Sequence, residues 1–470
     1  MTDIALISIP KMEIHNPLIA PAAIKAILNT HSISSVCLDM NVDLWRALRE
    51  ECPTFWDNDD QTIHNKELFD KWWNTYSSYV YSWIQQNIIP LSPKFVGITI
   101  LSHWQHRFAA KLIDILKNYK IILGGPGALV NDFAKKQNVY AYVDGEAESV
   151  IHKIINGNTN LPGVNGNIPQ QLTDLDNLPF PDYSDFDFTK YSHKFRDVHT
   201  APEGADFIYV TASRGCIRRC KFCDVAKHWP NFITKSGTVI ADEIEYQIQQ
   251  HNLRSFYFTD SLINGNTKVL KDMISAINQK ELDIEWAGQF IVRPPNTMTP
   301  DDFDNLKRSG CKRLLLGVES YSQKVLNDMK KGMRAIDVDY TLEQCSRVGI
   351  EVVPMMIVGY ITETQADHQL NLDFLENNKK YVDDGTIYQL SLGPTLRIYD
   401  GTPLADHFDE IGLDRTDEGG WTYGDNTEQV RIERWFEMQN KASSLGYKLA
   451  ISSPTFLKRR YKKLTGKDIE

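Results

Sequence analysis

Residues 213–223 read Ser213-Arg214-Gly215-Cys216-Ile217-Arg218-Arg219-Cys220-Lys221-Phe222-Cys223. The C-x3-C-x2-C spacing puts three thiolates on one short loop, and three thiolates can hold three corners of a 4Fe–4S cluster. The fourth iron would lack a protein ligand and would be open to another molecule. A structural zinc site is the alternative, but it needs a fourth Cys or His, and the nearest candidate is His228. The spacing therefore favours a cluster over zinc.

The cysteine motif, with the flanking Arg214-Gly215 and Phe222, resembles that of the radical S-adenosylmethionine (radical SAM) superfamily. The resemblance implies that Cys216, Cys220 and Cys223 bind three irons of a 4Fe–4S cluster, while S-adenosylmethionine (SAM) binds the fourth. It further implies reductive cleavage of SAM to a 5′-deoxyadenosyl radical, with an electron donor such as flavodoxin or ferredoxin. The radical chemistry belongs to the cofactor, and the protein positions it and excludes water.

From residue 207 the chain alternates strands with helices. The predicted strands are residues 207–210, 255–258, 284–287, 313–316, 352–357 and 386–391. Six such units predict a partial (β/α)6, TIM-like barrel over residues 207–395, whose ligand site lies at the C-terminal ends of its strands.

Residues at these strand ends have the spacing seen in the radical SAM family. The resemblance implies SAM contacts from Phe222, Asp260, Ser261, Gln289, Arg293, Glu319, Ser320 and Gly359. Several have a structural alternative: Asp260 as a helix N-cap, Glu319 as a barrel salt bridge and Gly359 as a turn. Because residues at several successive strand ends behind the cysteine motif all follow the spacing of the family, SAM binding is favoured over these structural roles.

Residues 1–156 begin with a βαβ pattern, and apolar strands recur near residues 95–100, 121–123 and 140–143. Continuous apolar runs of this kind are typical of buried parallel strands, so we expect a doubly wound, Rossmann-like α/β domain. Residues 41–93 interrupt the alternation with a Trp- and Tyr-rich, helical insertion. We expect its aromatic side chains to pack in the core rather than cover a flat cofactor.

The order of these elements resembles the cobalamin-binding-type domain found ahead of many radical SAM barrels. The resemblance implies cobalamin contacts from the residues that follow the strands, namely Ser102, Gly124, Gly125, Gly145 and Glu146. The Asp-x-His-x-x-Gly signature of a lower-axial histidine is absent from the sequence. The resemblance is therefore compatible with cobalamin held without a protein histidine, and equally with a domain that has lost the cofactor.

Residues 157–206 are rich in Pro, Gly, Asp and Asn and predict an extended linker between the two domains. Residues 396–470 predict a small, α-rich C-terminal segment whose role the sequence does not reveal.

The net charge of -10 argues against a general nucleic-acid-binding surface. No secretion signal is recognisable, and the longest apolar run, residues 352–361, is too short to span a bilayer. The sequence has seven cysteines, an odd number, and those outside the central trio are scattered, which fits the reducing cytoplasm that an oxygen-sensitive cluster requires.

Three hypotheses follow from the resemblance. The first is a cobalamin-dependent radical SAM methyltransferase acting on an unactivated carbon. The second is a radical SAM enzyme that rearranges or oxidises its substrate and whose front domain has lost cobalamin. The third is a non-catalytic cobalamin-binding regulator with structural cysteines. The sequence does not distinguish a small-molecule, lipid or peptide substrate.

Methylthiolation of transfer RNA is disfavoured. Relatives of that type resemble a different N-terminal domain with three further cluster cysteines, and here only Cys37 and Cys52 precede the motif.

Overall fold

The computed structural model describes residues 2–57, 60–128, 133, 136–191, 206–416, 420–451 and 454–469. The chain divides into two compact units, residues 1–195 and 196–470.

The first unit contains a five-stranded parallel sheet. Its strands are β1 (Ile4–Ser8), β2 (Ser35–Asp39), β3 (Phe95–Thr99), β4 (Lys120–Gly124) and β5 (Val139–Tyr142). They are ordered β2-β1-β3-β4-β5, the doubly wound order in which ligands bind beyond the carboxyl ends of the strands. The helices are α1 (Ile19–Thr30), α2 (Met40–Leu48), α3 (Lys66–Asn87), α4 (His106–Ile115) and α5 (Ile151–Ile155).

The aromatic insertion is part of this unit's core. Phe69, Trp72, Trp73 and Trp83 of α3 are buried in one cluster with sheet residues such as Ile98. Asn65 begins the helix by accepting hydrogen bonds from the amides of the first turn. The insertion therefore covers one face of the sheet, as its helical aromatic spacing predicts.

Residues that precede the second unit also pack on the first. Tyr183 is fully buried, and the carboxylate of Asp185 lies 2.7 Å from Lys25 Nζ of α1. The hydroxyl of Tyr191 donates to Asp39 at the end of β2, at 2.7 Å. This stretch contains one short 3-10 helix, Phe188–Lys190, and the side chains of Tyr183, Asp185 and Tyr191 anchor it to the first unit.

The second unit contains a seven-stranded parallel sheet, ordered β16-β13-β12-β11-β10-β9-β6. Its strands are β6 (Phe207–Val210), β9 (Ser255–Phe258), β10 (Glu285–Phe290), β11 (Cys311–Glu319), β12 (Glu351–Met356), β13 (Leu390–Leu392) and β16 (Leu449–Ile451). Two short pairs, β7 (Ser213–Arg214) with β8 (Ile233–Thr234) and β14 (Asp414–Arg415) with β15 (Trp421–Thr422), lie outside it.

Helices alternate with these strands. They are α6 (Val225–His228), α7 (Gly237–His251), α8 (Thr267–Gln279), α9 (Pro300–Arg308), α10 (Gln323–Asp328), α11 (Ile336–Val348), α12 (Gln365–Asn377) and α13 (Lys379–Asp383). The C-terminal region adds α14 (Pro403–Asp406), α15 (Phe408–Ile411), α16 (Glu428–Ser444) and α17 (Pro454–Thr465).

The six predicted barrel strands are present in chain order, and a seventh was missed. Strand β16 pairs in parallel with β13 through Leu449 and Leu390, so the C-terminal segment extends the barrel sheet. Three residues are too few to show a strand period, which explains why the sequence indicated only an α-rich segment.

Within the described residues, no helix is long and apolar enough to cross a membrane.

Candidate functional site

The cysteine motif begins at a glycine that the backbone requires. Strand β7 pairs with β8, and the next residue, Gly215, has φ of +82°. A Cβ at Gly215 would lie 2.4 Å from the carbonyl oxygen of Asn231. Any larger residue would therefore push the two sides of the loop apart.

The three cysteines lie in different environments. Cys220 is buried, whereas Cys216 and Cys223 are partly exposed. The backbone amide of Arg218 donates to Cys216 Sγ at 3.3 Å. Burial raises the pKa of Cys220 to about 11, the positive charge of Lys331 opposes that rise, and the other two cysteines add to it. Hydrogen bonds to sulfur and a nearby cation favour a negatively charged cluster.

Across the described ranges, no three His, Cys, Asp or Glu side chains are grouped closely enough to hold a metal ion, and this includes the three cysteines. Their donor chemistry nevertheless fits an iron–sulfur cluster, because three thiols share one loop, Cys216 and Cys223 raise the pKa of Cys220, and Cys216 raises the pKa of Cys223.

The cysteine loop is supported by two other segments. The amide of Lys221 donates to the Met329 carbonyl at 3.0 Å, and the amide of Leu404 donates to the Lys221 carbonyl at 2.9 Å. Phe222 packs against the buried cluster that contains Leu404 and Tyr360. Phe222 therefore anchors the loop in the core.

Asp260, after β9, is directed toward the start of the cysteine motif. Its carboxylate accepts from the Ala212 amide at 3.0 Å and from the Ser213 hydroxyl. Burial raises the pKa of Asp260 to about 6, although these hydrogen bonds lower it. Asp260 does not cap the following helix, since Asn266 begins α8. Ser261 is partly exposed beside it.

The next strand end supplies a cation. Gln289 is partly exposed, and Arg293 donates through Nη2 to the carbonyls of Asn264 at 3.0 Å and Gly265 at 2.8 Å. Burial lowers the pKa of Arg293, as does the charge of Arg218, while Cys216 raises it. Arg293 thus lies within electrostatic range of the cysteine motif.

Glu319 ends β11 in a buried ion pair. Its Oε1 lies 2.6 Å from Lys331 Nζ, and the two side chains are 11% and 9% exposed. Burial works against the charge of Lys331, but Glu319 and Cys220 outweigh it and raise the pKa of Lys331. A Cβ at Gly317 would lie 2.7 Å from Lys331 Nζ, so glycine makes room for the pair. Glu319 therefore forms a salt bridge, the structural role that its position in the barrel suggested as an alternative.

Ser320 is fully buried beside Glu319. Its hydroxyl donates to Asn371 Oδ1 at 3.2 Å, and the same oxygen accepts from the Tyr321 amide at 2.7 Å. Asn371 on α12 thereby fixes the backbone that follows β11.

Residues 357–363, which we call the β12 loop, contain Gly359 with φ of +76°. The Gly359 amide donates to Glu363 Oε1 at 3.2 Å. A Cβ at Gly359 would lie 2.4 Å from Cγ of Arg431. No sequence pattern indicates that Arg431 reaches this loop, because more than 70 residues separate Arg431 from Gly359.

In the first unit, Gly124 is the last residue of β4, and the other four residues expected to contact cobalamin follow the carboxyl ends of β3, β4 and β5. Ser102 caps a short helical turn by accepting from the Trp104 amide at 3.3 Å. Glu146 accepts from the Leu172 amide. Gly125 has φ of +98°, and its Cβ would lie 2.4 Å from the Ile100 carbonyl oxygen.

The two remaining glycines differ in their surroundings. A Cβ at Gly124 would meet nothing within 4 Å, whereas one at Gly145 would approach Pro169 at 3.3 Å. Among the described residues, none would obstruct a Cβ at Gly124, while the polar side chains of Ser102 and Glu146 accept hydrogen bonds from backbone amides.

Residues 210–375 match the sequence pattern of the Radical SAM superfamily. They form a radical SAM domain. The match contains the cysteine motif, strands β9 to β12 and Gly359, so the expected family is confirmed for this part of the chain.

Several known proteins are similar to larger parts of the chain. An uncharacterized methyltransferase of Pyrococcus horikoshii is 23% identical over 63% of this chain and 66% of its own length, slightly under two thirds. The radical SAM methyltransferase TsrM from Kitasatospora setae, solved with cobalamin and a 4Fe–4S cluster, is 15% identical with a TM-score of 0.63, covering 89% of this chain and 77% of TsrM. The cobalamin-dependent radical SAM enzyme OxsB, solved with aqua-cobalamin, is 16% identical with a TM-score of 0.61, covering 92% and 66%.

At these identities the structural likeness establishes the fold. A doubly wound front domain followed by a radical SAM barrel is therefore confirmed as the fold class.

Proposed function

We propose that this chain is a radical SAM enzyme in which Cys216, Cys220 and Cys223 hold a 4Fe–4S cluster. The observation that carries the proposal is the radical SAM domain, with its three cysteines on a loop supported by the barrel. When bound, such a cluster supplies the electron that cleaves SAM to a 5′-deoxyadenosyl radical.

The chain's own residues bind and orient SAM at the strand ends. We assign SAM contacts to Phe222, Asp260, Ser261, Gln289, Arg293, Glu319, Ser320 and Gly359. Supporting this, Lys331 holds the Glu319 carboxylate, Asn371 holds the backbone at Ser320, and Arg293 adds positive charge near Cys216. A carboxylate and a guanidinium at one end of a barrel suit the amino and carboxylate groups of an amino acid.

We further propose cobalamin in the first unit and methyl transfer to an unactivated carbon of a substrate whose identity stays open. The names of the relatives and the doubly wound sheet support this proposal. Gly124 ends β4 without a side chain, and Gly125, Ser102, Gly145 and Glu146 shape the turns around it, where we assign the cobalamin contacts.

An enzyme with an oxygen-labile cluster belongs in a reducing cytoplasm and needs a low-potential electron donor such as flavodoxin or ferredoxin. No nucleic-acid partner is proposed, since the chain carries a net charge of -10.

The test is anaerobic purification and reconstitution of the full chain. We expect about four irons per chain, as one 4Fe–4S cluster contains, together with stoichiometric cobalamin and 5′-deoxyadenosine on reduction with SAM. Cys220→Ala should abolish 5′-deoxyadenosine. A chain that holds a complete cluster and forms 5′-deoxyadenosine but binds no cobalamin would contradict methyl transfer. That result would support the enzyme that rearranges or oxidises its substrate. Cobalamin without any 5′-deoxyadenosine would favour the regulator instead.

A further inference from the structure

The β12 loop is held from outside the strand–helix repeat. Asn426 Nδ2 donates to the carbonyls of Tyr360 at 2.7 Å and Ile361 at 3.2 Å. Arg434 Nη1 donates to the carbonyl of Glu363 at 3.0 Å. Asn426 and Arg434 are 6% and 7% exposed, so these contacts are shielded from water. Three carbonyls of one loop are thus fixed by two side chains of the C-terminal region.

Arg431 completes this arrangement. It is 2% exposed, and its aliphatic stem lies where a side chain at Gly359 would otherwise be. Its guanidinium donates to the carbonyls of Asn426 at 2.8 Å and Trp421 at 2.7 Å, and stacks over the Trp421 ring at 3.6 Å. Arg431 therefore packs against the β12 loop and also orients the residue that hydrogen-bonds to it.

The same C-terminal region reaches the cysteine loop. Leu404 donates its amide to the Lys221 carbonyl at 2.9 Å. Leu404 and Trp421 belong to one buried cluster with Tyr360 of the β12 loop, and Phe222 packs against that cluster. One core thus couples the β12 loop to the residues between the second and third cysteines.

We propose that Asn426 and Arg431 are positioning residues for SAM, and that residues 396–416 and 420–444 complete the SAM site by fixing the β12 loop. This inference rests on the proposed function, because it takes Gly359 to lie against SAM. At Gly359 only the backbone can contact a ligand. The affinity of the protein for that ligand therefore depends on how rigidly the backbone of the β12 loop is held. The carbonyls of Tyr360, Ile361 and Glu363 are the points at which it is held.

The experiment is SAM binding by calorimetry to the anaerobically reconstituted full chain, with the cluster left oxidised so that SAM is not cleaved. Asn426→Ala removes the amide group that donates to the Tyr360 and Ile361 carbonyls, and it should raise the SAM dissociation constant about tenfold, with iron content unchanged. Arg431→Lys keeps the positive charge and the aliphatic stem but loses the guanidinium that donates to two carbonyls. It should also raise the SAM dissociation constant.

The matched control is Tyr447→Phe, which deletes another buried donor to a backbone carbonyl, that of Leu375 at 2.8 Å. We expect it to lower the thermal midpoint as Asn426→Ala does, while SAM affinity stays within about twofold. If parent and control bind SAM and both Asn426→Ala and Arg431→Lys bind it equally well, the inference is overturned. It is also overturned if Tyr447→Phe weakens SAM as much. A parent chain that holds a cluster but binds no SAM would instead overturn the proposed function.

Discussion

Lys331→Met should destabilise the second unit strongly even without any cofactor. Lys331 Nζ lies 2.6 Å from Glu319 Oε1 with both side chains about nine-tenths buried. At this distance an effective dielectric of about 20 gives an attraction of about 6 kcal/mol, which desolvation of the two charges partly offsets. Removing the lysine leaves the buried Glu319 carboxylate without the attraction that offsets its desolvation. We therefore expect a loss of about 3–5 kcal/mol in the free energy of unfolding.

The assay is urea unfolding of the full chain before reconstitution, with hydrogen exchange of β11 amides reporting the unit that contains the pair. Glu319→Gln in the Lys331→Met background should recover at least about 2 kcal/mol, since it removes the unpaired charge. Lys379→Met is the matched control, because Lys379 pairs with Asp383 at the same 2.6 Å but with both side chains about half exposed. It should cost less than about 1 kcal/mol. Equal effects of the two lysine variants, or no recovery in the double variant, would refute the reasoning.

Two further predictions concern a buried acid and a strained glycine. Burial raises the pKa of Glu363 to about 7 from 4.5, so the stability linked to its proton is present below pH 4.5 and lost as the pH rises through about 7. Glu363→Gln should therefore gain stability relative to the parent between about pH 5 and pH 8 in urea unfolding, and parallel pH profiles would contradict this. Gly125→Ala should cost about 2 kcal/mol or more, because its φ is +98° and its Cβ would lie 2.4 Å from the Ile100 carbonyl oxygen. Gly124→Ala, whose Cβ would meet nothing within 4 Å, is the neighbouring control and should leave the thermal midpoint nearly unchanged; similar losses in both variants would argue against strain.

Local sequence predicted much of the architecture because each barrel strand is a short apolar run bounded by polar residues. Phe207–Val210 and Ser255–Phe258 agree with the predicted strands at both ends. Strand β13 is shorter than expected, since only Leu390–Leu392 pairs regularly and Ile387 forms an isolated bridge with Val352. Pairing depends on the neighbouring strand, which no local pattern contains.

The sequence by itself determined the radical SAM domain of residues 210–375 and the α/β character of the chain ahead of it. Cysteine spacing and strand–helix alternation are properties of neighbouring residues, and both can be read along the chain. Only the tertiary structure decided what each expected site residue contacts: Asp260 holds the backbone ahead of the cysteines, and Glu319 pairs with Lys331. It alone showed that Asn426 and Arg431 hold the β12 loop. Such contacts join residues far apart in the chain, and they form only when packing brings distant segments together and excludes water.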